Sequence, residues 1–284
     1  MINTNNINIL VTLDENYIPY LNVMLSSLKF KNPNCIFSVY LLHNSISEDA
    51  LSETKLILGA SGKIIMIKAK DTCLNGAPTT QRYPKEIYYR IFAAQYLPNN
   101  IDRILYLDPD IVVNGSIENL YNITLDDYYF AAASHTGPLL RKINEIRLDM
   151  DIESPYINSG VMMMNLNRLR NEQDYQEVFD FIEKRKKMLI LPDQDIISSL
   201  YGNKIFALDT YKYNMTENLY MARSRFDKDL SIEWIRNNSV IIHYCGRNKP
   251  WKNNYIGQLD IFYREAYDRM IKQLSYLKKQ KNIE

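Results

Sequence analysis

Two aspartates one residue apart, Asp108 and Asp110, follow a mostly apolar run at positions 103–107. Two carboxylates this close repel each other, and a hard divalent cation between them removes the repulsion. The intervening Pro109 cannot donate to a strand ladder, so the predicted strand ends there. Because an Asp-x-Asp pair also occurs in solvated turns, it is the apolar strand before it that favours a metal site.

A second group of chemically active residues begins at His243, which follows an apolar run at 240–242. A histidine in this position is commonly a hydrogen-bonded core residue. Here, however, Gly246 would let the backbone approach a ligand closely, and Lys249 would place a point charge on a phosphate oxygen. Two carboxylates and one imidazole favour Mn²⁺ over Ca²⁺, with Mg²⁺ as a further candidate. Such an ion would stabilise a departing nucleoside diphosphate as a Lewis acid.

Short apolar runs alternate with amphipathic stretches, which predicts an α/β fold with a largely parallel sheet. We predict strands at residues 8–13, 37–42, 63–67, 103–107, 130–133, 161–165 and 240–242. We predict helices after the Asp14 turn and at residues 47–58, 85–96, 166–188, 194–200 and 262–277. Loops are expected at 73–84 and, as a flexible acceptor-side segment, between 134 and 160. Asp14 and Asp108 both follow carboxyl ends of strands, where ligands bind in open α/β sheets, so they should share one crevice.

The composition of the 284 residues is that of a globular protein, with 46% hydrophobic and 24% charged residues. Lys and Arg number 34 against 33 Asp and Glu, and this net charge of +1 argues against nucleic acid as a partner. Three widely spaced cysteines, Cys35, Cys73 and Cys245, indicate neither a disulfide framework nor a zinc site. Since the sequence shows no signal peptide and no spanning segment, we expect a cytoplasmic protein. We predict one compact domain at residues 1–255 and a helical extension at 256–284.

The sequence resembles glycosyltransferase family 8, which includes bacterial lipopolysaccharide galactosyl- and glucosyltransferases and glycogenin. The resemblance covers residues 7–255, and its motifs are VTLDENY at 11–17, YYR at 88–90, DPD at 108–110, YINSG at 156–160, DQD at 193–195 and HYCGRNKPW at 243–251. It implies a GT-A fold, in which a Rossmann-like mixed central sheet flanked by helices carries a smaller antiparallel element. It also implies transfer of glucose or galactose from a UDP-sugar, with retention of configuration, to a saccharide or glycolipid acceptor of a cell-surface glycan.

The resemblance assigns roles to individual residues. Those matched to uracil and ribose are Thr12, Asp14, Asn16 and Tyr17, with Tyr17 stacking on the base. Those matched to the metal are Asp108, Asp110 and His243. Those matched to the diphosphate are Gly246 and Lys249, and those around the donor sugar are Arg90, Asn158 and Asp193. Taken singly, Arg90 could instead be a surface helix residue, Asn158 a turn former and Tyr17 a hydrophobic staple.

Gln194 matches the residue beneath the anomeric carbon, and its chemistry limits the mechanism. An amide is neither a practical base nor a good nucleophile. Its carbonyl can steady an oxocarbenium-like centre while the acceptor attacks from the leaving-group face and a diphosphate oxygen takes the proton. Asp193 or Asp195 as a covalent nucleophile is the alternative, and both could simply cap a helix.

Three further points follow from the resemblance. His135-Thr136 stands where relatives often carry an acidic residue, so the acceptor is not inferred from the family. The mildly basic C-terminal helix suggests weak association with the inner face of the membrane, with a solvated helix as the alternative. Two other functions fit the same motifs: a UDP-sugar-binding module without turnover, and a glycogenin-like self-glucosylating protein, which the 22 tyrosines suggest.

Overall fold

The centre of the protein is a seven-stranded mixed sheet. The structure, a computed structural model, describes residues 5–69, 79, 85–134, 137–151 and 153–281. The strands in chain order are β1 (Asn5–Thr12), β2 (Cys35–His43), β3 (Gly62–Lys68), β4 (Arg103–Leu107), β5 (Ile111–Val113), β6 (Phe130–Ala132), β7 (Val161–Asn165), β8 (Ile205–Ala207) and β9 (Ile241–His243). The order across the sheet is β3-β2-β1-β4-β7-β6-β8, and β5 pairs with β9 in a separate antiparallel ribbon. The predicted mixed sheet with a smaller antiparallel element is confirmed.

Helices lie on both faces of this sheet. In chain order they are α1 (Ile18–Lys31), α2 (Ser52–Leu58), α3 (Glu86–Tyr89), α4 (Ala93–Tyr96), α5 (Glu118–Tyr121), α6 (Pro138–Leu148), α7 (Leu166–Glu172), α8 (Tyr175–Arg185), α9 (Pro192–Tyr201), α10 (Thr210–Tyr213), α11 (Glu217–Arg223), α12 (Ile232–Asn238) and α13 (Asp260–Lys281). Short 3₁₀ turns at 15–17, 49–51, 59–61 and 202–204 join some of them. Alternate side chains of β1 point to opposite faces of the sheet. Ile9 and Val11 pack into one apolar core, and Leu10 packs into the other.

Strand directions bring the predicted site residues to one edge of the sheet. β1 and β4 are parallel neighbours, so the residues after Thr12 and after Leu107 leave the sheet at the same edge. β4 and β7 are antiparallel with Leu107 opposite Val161, which places Gly160 beside Asp108. The carboxyl ends of the first and fourth strands therefore meet the amino end of the seventh.

One helix prediction and one loop prediction are wrong. The predicted helix at 85–96 is broken into α3 and α4. Between them the chain winds more tightly, with Ile91 N–H donating to Tyr88 O at 3.0 Å and Phe92 N–H to Tyr89 O at 3.2 Å. The segment between 134 and 160, predicted as a flexible loop, contains the 11-residue helix α6, which begins with a proline at its first turn. The predicted loop at 73–84 and the His135-Thr136 pair lie outside the described residues.

The C-terminal helix α13 is 22 residues long and packs against α1 and α2. Phe262, Met270 and Leu274 are buried in the same apolar core as β1. The division of the chain at residue 255 stays a prediction, although the two parts share this core. Among the described residues, no helix combines the length and apolar character needed to span a membrane. The described cysteines, Cys35 and Cys245, are free thiols.

Candidate active site

A cavity of about 370 Å³ opens at the shared edge of β1 and β4. The residues of the predicted site that line it are Thr12, Asp14, Tyr17, Arg90, Asp108, Asp110, Asn158, Asp193, Gln194, His243, Gly246 and Lys249. Asn16 does not line it: its side chain is exposed, and its backbone N–H donates to Asp14 Oδ1 at 2.9 Å. Residues more than 200 positions apart therefore meet in one cavity, and the predicted crevice shared by Asp14 and Asp108 is confirmed.

Asp108, Asp110 and His243 present one ligand atom each within 4.8 Å of one another. His243 Nε2 lies 3.2 Å from Asp110 Oδ1 and 3.7 Å from Asp108 Oδ2. Within the described part of the chain, neither His243 Nε2 nor Asp110 Oδ1 has a hydrogen-bond partner, although both atoms are buried. Buried polar atoms are rarely left unsatisfied. Two carboxylate oxygens and an imidazole nitrogen facing one point fit a divalent transition-metal ion.

Strand pairing explains why the histidine meets the aspartates. Asp110 is followed at once by β5, whose first residue, Ile111, is paired with His243 at the end of β9. The next backbone contact continues this register, since Tyr244 N–H donates to Asp110 O at 3.0 Å. On the other side, Asp108 N–H donates to Gly160 O at 2.8 Å. The two-stranded ribbon therefore sets the distance between the imidazole and the carboxylates.

Gly160 leaves the space in which the three ligand atoms converge. A Cβ atom at this position would lie 2.3 Å from His243 Cε1, 2.6 Å from Asp108 Oδ2 and 2.9 Å from His243 Nε2. Contacts this short do not occur in well-packed proteins. A glycine is therefore required here because any side chain would enter the candidate metal site.

A buried amide fixes the orientation of the imidazole. Asn214, which is fully buried, places Oδ1 3.0 Å from His243 Nδ1. An amide oxygen only accepts, so Nδ1 carries the proton and Nε2 keeps its lone pair toward the carboxylates. Asn214 Nδ2 in turn donates to Asn158 Oδ1 at 3.0 Å, and the same oxygen accepts from Gly160 N–H at 3.1 Å. This chain of hydrogen bonds ties Asn158 to the histidine.

Arg90 is buried between two carboxylates. Its guanidinium lies 3.1 Å from Asp108 Oδ1 and 3.1 Å from Asp193 Oδ2, and it stands 4.3 Å above the Tyr106 ring. Burial alone would lower the pKa of Arg90, but Asp108 and its other neighbours raise it above the ordinary value. Burial raises the pKa of Asp193, and Arg90 and a 2.7 Å hydrogen bond from Ser159 Oγ partly offset the rise. The interpretation of Arg90 as a surface residue is therefore wrong.

Lys249 forms a buried ion pair with Asp110 and also donates to Tyr244 O at 2.9 Å. Its ammonium lies 5.4 Å from the centre of the Trp251 ring. Burial would raise the pKa of Asp110, but the charge of Lys249 holds it well below the ordinary value. Gly246 has a φ of 86°, a conformation that favours glycine, and lies on the cavity wall. A positive charge and a closely approaching backbone therefore stand beside the candidate metal site.

Comparison with known proteins identifies the class of enzyme. The family model described as "Glycosyl transferase family 8" matches residues 8–255. The chain belongs to glycosyl transferase family 8. It is 28% identical over 245 residues to a lipopolysaccharide 1,2-glucosyltransferase of Escherichia coli, covering 84% of this chain and 71% of that protein. It is 25% identical over 249 residues to a lipopolysaccharide 1,3-galactosyltransferase of Salmonella typhimurium, covering 86% and 72%.

Solved structures confirm the fold of this glycosyltransferase. The galactosyltransferase LgtC, solved in complex with donor and acceptor sugar analogs, aligns with a TM-score of 0.78 at 23% identity, covering 92% of this chain and 95% of LgtC. The glycosyltransferase GlyE of Streptococcus pneumoniae aligns with a TM-score of 0.72 at 22% identity, covering 98% of this chain and 64% of that chain. The predicted GT-A fold is confirmed.

The three side chains of the DQD motif of this glycosyltransferase lie in two different environments. Asp193 and Gln194 line the cavity, whereas the fully buried Asp195 does not. Asp195 accepts from Arg147 Nη1 and Nη2 at 2.9 and 2.7 Å and from Tyr156 OH at 2.6 Å, and also from two backbone N–H groups before the helix. Its oxygens are occupied, which argues against Asp195 as a covalent nucleophile and supports the helix-capping alternative.

Several residues that build the site were missed by sequence reasoning. Gly160 and Ser159 lie inside a quoted motif, but their roles depend on contacts across the sheet. Asn214 follows the four-residue helix α10 and carries no motif of its own. Arg147 lies in α6, where no helix was predicted. In each case the partner is distant in sequence, so no local pattern marks the residue.

Proposed function

We propose that this enzyme transfers a hexosyl group, glucose or galactose, from a UDP-sugar to a hydroxyl of a saccharide or glycolipid acceptor of a cell-surface glycan, with retention of configuration. The observation that carries the proposal is the convergence of Asp108, Asp110 and His243, with Gly160 leaving room between them. Support also comes from relatives that are lipopolysaccharide glucosyl- and galactosyltransferases.

The ion that fits this ligand set is Mn²⁺, with Mg²⁺ as the alternative. Asp108, Asp110 and His243 would hold it, and it would supply Lewis acidity toward the departing UDP. The donor's diphosphate oxygens would complete the coordination. Two unpartnered buried ligand atoms among the described residues support this assignment.

The chain's own residues bind the remainder of the donor. Thr12, Asp14, Asn16 and Tyr17 are proposed to hold the uridine, with the Tyr17 ring stacking on uracil. Lys249 offers a positive charge to the diphosphate, and the backbone at Gly246 approaches it closely. Asn16 would act through its backbone, because its N–H already orients the Asp14 carboxylate.

The reacting sugar lies next to Arg90, Asp193, Asn158 and Gln194 in this proposal. The acceptor oxygen forms a bond to the anomeric carbon as the bond to the diphosphate oxygen breaks. The acceptor proton passes to that diphosphate oxygen, and both reactants are on the same face of the sugar, so configuration is retained. The Gln194 carbonyl, on the cavity wall, steadies the positive charge that develops at the anomeric carbon.

The test combines enzyme, Mn²⁺ and either UDP-glucose or UDP-galactose, with UDP release and product mass as readouts. The double variant Asp108→Ala/Asp110→Ala should lose activity by roughly 1,000-fold or more, because it removes the metal's stabilisation of the leaving group. Asp149→Ala is a matched control, since its carboxylate is exposed at the end of α6. Chelator-resistant turnover by the double variant would refute the metal assignment.

The same assay separates the other two functions. Donor binding measured by calorimetry without turnover on a broad acceptor panel would favour a UDP-sugar-binding module. Hexose increments on the intact mass of the enzyme would favour self-glucosylation, and an unchanged mass would remove it.

We also propose that the enzyme works in the cytoplasm at the inner face of the membrane, since its relatives build lipopolysaccharide. The C-terminal helix was the surface predicted to make this contact. Several of its large apolar side chains, such as Phe262 and Met270, are buried in the core, and Lys278 is paired with Glu53. Ile261, Tyr267, Ile271 and Tyr276 are exposed on it.

A further inference from the structure

Helix α6 is amphipathic with its apolar side turned outward. Ile143 and Ile146 are 49% and 77% exposed, and Leu140 is 58% exposed. Polar side chains of the same helix are turned toward the protein: those of Glu145 and Arg147 are only 16% and 14% exposed. A surface helix of a soluble protein normally shows the reverse arrangement. The outward side of α6 is therefore built to contact something apolar.

The apolar area extends onto the segment after α8. Met188 and Ile190 are 47% and 62% exposed. This segment is fixed to α6, because Arg147 Nη1 donates to Met188 O at 2.5 Å and Arg185 pairs with Asp149 at 3.0 Å. We call the surface made by Leu140, Ile143, Ile146, Met188 and Ile190 the α6 patch. Exposed apolar side chains on two segments held together in this way mark an interaction site.

Basic residues accompany the α6 patch. Lys142 lies one turn from Ile146, Lys187 precedes Met188, and Lys184 lies one turn earlier on α8. All three are exposed, and none forms an ion pair with another residue in the described ranges. Glu145, Asp149 and Glu183, which lie on or beside these helices, are paired with other basic side chains. Lysines beside apolar side chains match a bilayer surface that combines acyl chains with anionic headgroups.

The α6 patch adjoins the cavity wall. Arg147 forms two hydrogen bonds to Asp195, the residue after Gln194. Leu191 lines the cavity, and its N–H donates to the same aspartate at 3.1 Å. A partner seated on the patch would lie beside the wall formed by Leu191 and Gln194.

We propose that the α6 patch docks this enzyme on a bilayer surface containing anionic lipid. The apolar side chains enter the headgroup boundary, and the lysines contact anionic headgroups. This brings the wall of the cavity to the surface from which a lipid-linked acceptor would be offered. Lipid binding itself needs neither donor nor metal, so the inference stands apart from the proposed chemistry.

The experiment is co-sedimentation of the full chain with two kinds of vesicle, pure phosphatidylcholine and a 7:3 mixture of phosphatidylcholine and phosphatidylglycerol. We expect binding to the anionic vesicles that weakens with added salt. Ile143→Ser/Ile146→Ser should weaken binding by roughly tenfold or more. Each Lys→Gln change at 142, 184 and 187 should weaken it by about fivefold. All substituted side chains are exposed, so melting temperatures should be unchanged.

The matched control is Ile261→Ser/Ile271→Ser on the C-terminal helix, which should bind vesicles like the unaltered protein. Failure of the unaltered protein to bind anionic vesicles would overturn the proposal. Loss of binding in the control pair with full binding by the α6 pair would also overturn it. So would a dimer in sedimentation velocity that Ile143→Ser/Ile146→Ser dissociates, because the patch would then join two copies of the chain.

Discussion

Replacing Gly160 with alanine tests whether the three ligand atoms act together. The added Cβ would sit 2.3 Å from His243 Cε1, where ordinary contact begins at 3.4 Å, so the imidazole would have to move by about 1 Å. Metal–ligand distances tolerate only about 0.2 Å, and a 1 Å displacement in an active site costs about 100-fold in rate. Gly160→Ala should therefore weaken both Mn²⁺ binding and turnover by about 100-fold or more.

Isothermal titration of Mn²⁺ in the presence of UDP measures the binding directly, and UDP release measures turnover. Gly137→Ala is the control, because a Cβ at Gly137 meets no atom within 4 Å. Comparable melting temperatures of the two variants would show that the fold is intact. Unchanged Mn²⁺ affinity in a folded Gly160→Ala variant would refute the reasoning.

Three further predictions concern neighbouring groups. Asn214→Ala should weaken Mn²⁺ affinity by about 10- to 100-fold in calorimetry, because the His243 imidazole loses its orienting partner; equal affinity would contradict the assigned tautomer. Asp195→Asn should lower the free energy of unfolding by about 3–5 kcal/mol in denaturant titration. Turnover should stay measurable, because Gln194 is unchanged. Unchanged stability together with abolished turnover would instead indicate that Asp195 is a nucleophile. Burial raises the pKa of Cys245 to about 11. Its alkylation by iodoacetamide should therefore be slow at pH 8 and accelerate as the pH approaches 11. Rapid alkylation at pH 8, detected by peptide mapping, would contradict this.

Elements whose sequence signal is local were predicted with accurate bounds. Residues 103–107 form β4 as predicted, because the apolar run is closed by Asp108 and Pro109. Residues 161–165 likewise form β7 as predicted. Placing Asp14 and Asp108 in one crevice needed only the direction of parallel strands. The fold rule for open α/β sheets was therefore sufficient for the position of the cavity.

Contacts between distant segments could not be predicted in this way. Asn214 reaches His243 because Met215 N–H donates to Ile241 O and His243 N–H donates to Met215 O, which docks the end of α10 on β9. Nothing in the residues around 214 indicates that docking. The difference between Asp193 and Asp195 also depends on a distant residue, Arg147, whose helix was not predicted. Local patterns do not contain this information, since each contact joins residues at least 26 positions apart.

The most direct measurement of the central claim is anomalous diffraction at the manganese edge from crystals grown with Mn²⁺ and UDP. We predict one peak at roughly 2.0–2.3 Å from an oxygen of Asp108, an oxygen of Asp110 and Nε2 of His243. The diphosphate should contact the same ion. A peak that excludes His243, or an ordered UDP diphosphate with no manganese peak beside the two aspartates, would contradict the account.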